Sequence, residues 1–135
     1  MKYFIIAGEK SGDQHAGALA TALMKLDSQA DCSAWGGDAL ETAGAKVLQR
    51  YEGIAFMGLD FLFSLRTVIG LFKTCKKDIL AFKPDLLILV DFGGFNLRIA
   101  KWAHTQGIKC HYFIPPKTWA WNESRNKKLA KYIEA

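Results

Sequence analysis

Pro84-Asp85-Leu86-Leu87-Ile88-Leu89-Val90-Asp91-Phe92-Gly93-Gly94-Phe95-Asn96 is the stretch that decides how this chain folds. Leu86 to Val90 is an unbroken aliphatic run with no polar alternation. A strand of that kind needs cover on both faces, so it belongs at the centre of a parallel sheet with helices on each side. Pro84 suits the entry, because proline donates nothing to a ladder but can precede one. At the far end the run meets a carboxylate, Asp91, and then two glycines, Gly93 and Gly94. Open α/β sheets place ligands beyond the carboxyl ends of their strands. The residues alone leave two readings of Asp91 open: a functional carboxylate at that rim, or a side chain that caps and steadies the turn.

Upstream, Lys2 to Ala7 predicts a first buried strand, followed by Gly8-Glu9-Lys10-Ser11-Gly12-Asp13 and a helix from about Asp13 to Leu26. Ser11 and Gln14 have the spacing of a capping box. A strand, a glycine turn and a helix in succession aim backbone N–H groups and a helix dipole outward, which suits an anion or sugar hydroxyls. The same residues also serve as a plain tight connection. Gly-x-Gly-x-x-Gly is absent, and Lys10-Ser11 precedes Gly12, the wrong order for a P-loop. Asp31 to Trp35 predicts a second strand ending at Gly36-Gly37-Asp38, then a short helix over Ala39 to Ala43 and a brief extended piece at Val47-Leu48.

Ile54 to Phe72 is the most apolar stretch, and Asp60 to Phe82 reads as one long helix. Leu62, Leu65, Ile69 and Phe72 share a helical face directed at the sheet. Phe61, Phe63, Val68 and Leu71 widen the apolar surface beyond one face. Either the helix is deeply buried, or its surface dips into a bilayer or takes acyl chains while Lys73, Lys76 and Lys77 meet anionic headgroups. Phe95 to Gln106 predicts an amphipathic helix with Phe95, Ile99 and Trp102 inward, closed by Gly107. Ile108 to Ile114 is the next strand, ending at Pro115-Pro116. Cys110 and His111 are neighbours on it and point to opposite faces, so they cannot act as a pair. Trp119-Ala120-Trp121 falls where that strand hands over to a loop, and a last helix from near Asn122 carries Arg125, Lys127, Lys128 and Lys131.

The alternation of strand and helix predicts an α/β domain, a three-layer and mostly parallel sheet with right-handed crossovers. One rim then gathers Gly8 to Asp13, Gly36 to Asp38, Asp91 to Asn96 and Pro115 to Trp121, four loops that together suggest a site.

With 135 residues the chain fits one domain, and 50% hydrophobic and 23% charged residues are the mix of a globular protein. From Arg98 onward lie eight of the 18 basic residues and two of the 13 acidic ones, which favours an anionic partner near that end. Those cations are not interleaved with aromatics in a recognisable module, so nucleic acid is not expected as a partner. Three scattered cysteines, without a Cys-x-x-Cys pair, argue against a disulfide framework or zinc site and for a reducing compartment. His15 and His104 are isolated, and no metal or other cofactor is expected. No signal peptide and no run of roughly 20 apolar residues is present, so a cytoplasmic domain is expected. The chain stops at Ala135 without a cap or closing turn, as a cut or naturally abbreviated protein would.

Ala7-Gly8-Glu9-x-Ser11-Gly12-Asp13, Gly36-Gly37, Phe56-Met57-Gly58, Lys83-Pro84-Asp85, Asp91-x-x-x-Phe95-Asn96 and Trp119-Ala120-Trp121-x-x-x-Arg125 resemble, in order and over nearly the whole length, the N-terminal half of the lipid-A-disaccharide synthases. That resemblance implies a membrane-associated GT-B glycosyltransferase built of two Rossmann-like halves. Such an enzyme joins UDP-2,3-diacylglucosamine to 2,3-diacylglucosamine 1-phosphate through a β-1,6 linkage, with inversion and release of UDP. Its N-terminal half chiefly handles the lipid acceptor, and its C-terminal half binds most of the UDP. Residues 1–135 would then be one Rossmann-like domain, the acceptor-side half, lacking the donor half and inactive by itself. The alternative is a stand-alone module that binds a glycolipid or phosphosugar.

By the same resemblance Asp91 is the general base, a role that a carboxylate at a strand terminus suits. Asn96 would hold the loop or the substrate, and Gly8, Glu9, Ser11, Gly12 and Asp13 would line the sugar–phosphate cleft. Trp119, Trp121 and Arg125 fall on the substrate side, with Arg125, Lys127 and Lys128 placed to meet phosphate. Phe61, Leu62, Phe63, Leu65, Ile69 and Phe72 would contact acyl chains or the inner face of the cytoplasmic membrane. No metal is implied, because helix dipoles and basic side chains usually serve the leaving diphosphate in such clefts. Lys10, Gly93, Pro115 and Lys117 depart from the family's usual residues; Gly93 stands where proline is usual, which loosens the Asp91 loop.

Overall fold

A computed structural model describes residues 1–52 and 65–113. The aliphatic runs become strands β1 (Lys2–Ala7) and β4 (Leu86–Val90), hydrogen-bonded side by side and in parallel, with Tyr3 opposite Leu86 and Ala7 opposite Val90. β2 (Asp31–Gly36) adds to the other edge of β1, β3 (Lys46–Arg50) to β2, and β5 (Cys110–Phe113) to β4, all parallel. The strand order is therefore β3-β2-β1-β4-β5. Between them run α1 (Lys10–Leu26), α2 (Asp38–Thr42), α3 (Leu65–Phe82) and α4 (Gly93–Thr105).

Each central strand feeds two cores, because successive side chains point to opposite faces. Phe4, Ile6, Trp35, Leu87 and Leu89 face α3 and α4, where they meet Cys75, Ile79, Ile99, Ala100 and Ala103. Tyr3, Ile5, Ala7, Ala34, Ile88 and Val90 face α1 and α2, where they meet Ala16, Ala20 and Leu40. Full burial of such an aliphatic or aromatic side chain contributes about 1.5–3 kcal/mol, so β1 and β4 dominate the stability of the domain. The fully buried Trp35 keeps its indole N–H satisfied by donating to Asp78 Oδ2 at 2.9 Å. α4 ends as the sequence predicts: Gly107 takes a φ of +71°, its N–H donates to His104 O, and Ile108 N–H reaches back to Ala103 O. That is a Schellman closure, with Ile108 packed on the core beneath it.

Four local expectations are corrected. α1 begins at Lys10 rather than Asp13, so Ser11 lies inside the first turn and no capping box forms; its hydroxyl donates to Glu9 Oε1 at 3.1 Å. The second strand runs one residue further, to Gly36. The extended piece at Val47-Leu48 is a full edge strand, alternating between half-buried and exposed residues, and its pairing with β2 is what five residues could not reveal by pattern. Among the described residues the sheet-facing stripe of α3 runs through Phe72, Cys75, Ile79 and Phe82; Phe72 belongs to it as expected and Ile69 does not. Ile69 is 48% exposed. At ~100° per residue it sits roughly 100° round the helix from the centre of that stripe. Leu62, with Phe61 and Phe63, lies outside the described residues, and Leu65 is placed only as the first residue of α3.

Cys32, Cys75 and Cys110 are all buried, and burial pushes each thiol pKa upward, that of Cys110 to about 12. They are packing groups rather than reactive thiols. No helix among the described residues is long and apolar enough to cross a membrane.

Candidate functional site

α1 leaves β1 toward one face of the sheet and α4 leaves β4 toward the other. Since β1 and β4 are neighbours, their following loops diverge and leave a crevice between them. This is the topological switch point of an open parallel sheet, where such folds bind ligands. A cleft of about 390 Å³ opens there, lined by Gly8, Glu9 and the turn from Asp91 to Phe95.

Gly8 is fixed by sterics. A Cβ at that position would lie 2.3 Å from the ring of Phe92, so only glycine lets Phe92 fold over the end of β1. Phe92 stacks on Phe95 at 4.8 Å between ring centroids, and Phe95 stacks on Phe72 at 4.5 Å. This aromatic column anchors the turn that carries Asp91. Gly8→Ala is accordingly expected to push Phe92 out of the column and to cost about 1–3 kcal/mol, the usual penalty of overpacking. Urea unfolding together with the near-ultraviolet signal of the stacked rings checks this; an unaltered midpoint would mean that Phe92 moves freely.

Asp91 is half-buried and takes a φ of +29°, a left-handed value rare for a residue with a side chain. Gly93 follows at +38°. No proline can adopt that angle, so the glycine at this place permits a path that proline would forbid. Beneath the turn, Asn96 is fully buried; its Nδ2 donates to Val90 O at 3.4 Å and its backbone N–H to Phe92 O at 3.2 Å. Asn96 therefore holds the loop, and its burial takes it out of direct reach of a ligand in the cleft.

The glycine turn after β1 divides. Gly8 and Glu9 reach the cleft, Ser11 is exposed beside Glu9, and Gly12 is buried against Ala7 and Val90. Asp13 is a correction. It is 3% exposed, and its carboxylate accepts the backbone N–H groups of Gly37 at 2.7 Å, Ala39 at 2.9 Å and Leu40 at 3.3 Å. Both oxygens are thus committed to the start of α2, and the residue staples the second glycine loop instead of lining a sugar pocket. Tyr51 closes the same loop from outside: a Cβ on Gly37 would meet its ring at 2.2 Å. Arg50 adds ion pairs to Asp38 and Glu41 at the surface.

The structure thus brings Gly8, Glu9 and Asp91 together and places Gly12, Asp13 and Asn96 beneath or beside them as supports. Phe72 belongs to the aromatic column, while Ile69 remains exposed on α3. Trp119, Trp121 and Arg125 lie outside the described residues. Phe92 and Tyr51 escaped the sequence reading; the only signal for either was an aromatic next to a glycine- or carboxylate-bearing turn. Among the described residues no cluster of three or more His, Cys, Asp or Glu could hold a metal ion.

A parallel 3-2-1-4-5 sheet with a carboxylate-bearing cleft at its switch point defines a Rossmann-like domain, of the kind that forms the N-terminal half of a GT-B fold. The UDP-GlcNAc 2-epimerase of Neisseria meningitidis, solved bound to UDP-GlcNAc, superposes with a TM-score of 0.62 over 96% of this chain and 37% of its own, at 14% identity. At that identity the likeness speaks for the fold alone. The sequence goes further: the profile of the family described as lipid-A-disaccharide synthetase matches residues 3–135, and the chain belongs to that family. It is 36% identical to the lipid-A-disaccharide synthase of Acidobacterium capsulatum over 97% of this chain and 33% of that protein. It is also 36% identical to those of Coxiella burnetii, over 96% of this chain and 35% of that protein, and of Trichlorobacter lovleyi, over 98% and 35%. The chain spans about a third of the length of these curated relatives.

Proposed function

We propose that residues 1–135 form the acceptor-side domain of a lipid-A-disaccharide synthase, which requires a C-terminal donor-binding half to turn over. The observation that carries this reading is the switch-point cleft, with Asp91 and Glu9 at its rim, in a chain of this family. In the reaction, Asp91 takes the proton of the acceptor's 6-hydroxyl as its oxygen bonds to the anomeric carbon of the donor glucosamine. The anomeric bond to UDP breaks on the opposite face, UDP departs, and the configuration inverts. Glu9 and the backbone around Gly8 orient the sugar ring.

Acyl chains and the cytoplasmic face of the inner membrane fall to α3 and the segment before it. Exposed Ile69, Lys73 and Lys77 support that assignment, an apolar residue beside cations that suit anionic headgroups. Titrating the chain with 2,3-diacylglucosamine 1-phosphate in mixed micelles tests the proposal. Saturable binding with perturbed Glu9 and Asp91 resonances is expected, while UDP alone perturbs neither. Binding of UDP at the cleft in preference to the lipid would reverse the assignment of the two halves.

A further inference from the structure

Asp91 is held at a positive φ, a conformation that costs energy in a residue with a side chain and persists where the surrounding structure supports it. Among the described residues, α4 and β5 both bring buried polar groups to the core beside this turn. From α4, Asn96 grips Val90 O with its side chain and Phe92 O with its backbone N–H. From β5, Tyr112 packs against the same core face, paired in register with Leu89, two residues before Asp91. Its hydroxyl and Asn96 Oδ1 are both buried, and neither has a partner that meets hydrogen-bond geometry. The phenol nevertheless lies near enough to the Phe92 backbone and the Asn96 amide for both to act on its ionisation, with burial the larger influence and pushing its pKa up. Two orphaned polar atoms in an otherwise aliphatic and aromatic cluster are costly. The phenol adds nothing to the packing that a phenylalanine ring would not supply.

We propose that Tyr112 is a positioning residue for Asp91: its hydroxyl, acting with Asn96, holds the Val90–Phe92 turn from below and so sets where the Asp91 carboxylate points into the cleft. The proposal rests on the reading of Asp91 as the base, but the geometry it asserts is measurable without turnover. Small motions of the turn let the hydroxyl bond Asn96 Oδ1, completing a network that joins β5, α4 and the Asp91 loop.

Tyr112→Phe removes one oxygen and keeps the ring. A hydroxyl that is merely tolerated would leave the Asp91 signals where they are, and its loss would leave stability equal or raise it. A positioning hydroxyl predicts that the backbone amides of Asp91 and Phe92 and the ¹³C carboxyl titration of Asp91 shift in the isolated chain, with the melting temperature little changed. In a polypeptide carrying both halves, kcat would fall roughly ten- to hundredfold, the scale of a small misplacement of a catalytic group, at unchanged KM. Asn96→Leu should move the same Asp91 signals, and adding Tyr112→Phe to it should move them little further, because members of one network are not additive. Unmoved Asp91 resonances in Tyr112→Phe, or fully additive shifts in the double variant, overturn the proposal. If Asp91→Asn keeps full turnover while Tyr112→Phe still displaces the Asp91 signals, the base assignment fails and the positioning stands.

Discussion

Asp91→Asn, made in a polypeptide that carries both halves, is expected to lower kcat by about 10²–10⁴-fold, the usual contribution of a general base. Asparagine is the sharper replacement because it keeps the shape of the side chain and tolerates the left-handed backbone that Asp91 adopts at φ +29°. Alanine at that φ would add strain to the chemical loss. KM for the lipid acceptor should change little, since an amide can still bond the hydroxyl but cannot take its proton. The acid limb of the pH–rate profile, which reports protonation of the base, should vanish from the residual activity. Steady-state kinetics with both lipid substrates, alongside thermal unfolding of the variant, make the check. Turnover within a few-fold of the parent would remove Asp91 from the chemistry and return it to the role of a turn residue.

Asp13→Ala is expected to be strongly destabilising, on the scale of truncating a fully buried core side chain. It strips one carboxylate from three backbone donors, Gly37, Ala39 and Leu40. Hydrogen bonds to a charged group contribute about 1.5–3 kcal/mol each, and a buried donor left alone costs about 1–3 kcal/mol. The three bonds share one side chain and are not additive, so a loss of about 3–4 kcal/mol is the reasonable sum. For a domain of this size that corresponds to a fall in Tm of roughly 10–15 °C. Asp13→Asn should fall between, because its amide keeps one acceptor and turns a second donor toward backbone N–H groups. Urea unfolding at an unchanged slope would confirm a local loss, and hydrogen exchange should quicken first at Gly37, Ala39 and Leu40. A loss below about 1 kcal/mol would mean that the loop finds water or other acceptors. The consequence for the site is indirect, because the second glycine loop does not line the cleft.

The two carboxylates show why one kind of residue can be read from sequence and another cannot. Asp91 follows five aliphatic residues and precedes two glycines, so a strand end and its rim are visible in the local pattern. Asp13 belongs to the same glycine turn as Gly8 and Glu9 and looks equally available to a ligand. Its three partners lie 24 to 27 residues away, in the turn after β2 and in α2, and no local pattern announces them. Phe92 is a similar case, an ordinary apolar position until the fold puts it over Gly8.

By itself the sequence determined that β4 is buried on both faces, that β1 and the helices build an α/β sheet around it, that Gly107 closes α4, and that Asp91 ends a strand beside flexible backbone. Each of these rests on short-range physics: side-chain period, the conformational freedom of glycine, and the need to cover apolar surface. Tertiary structure alone decided that β3 joins the sheet, that the sheet-facing stripe of α3 continues from Phe72 through Cys75, Ile79 and Phe82, and that Asp13 serves a loop. It also decided that, of the four loops expected at one rim, the turns bearing Gly8 and Asp91 line a common cleft. Those outcomes follow from the β3-β2-β1-β4-β5 order, which sets β4 against β1 although more than seventy residues separate them, and distance along a chain carries no information about which strand ends share a crevice.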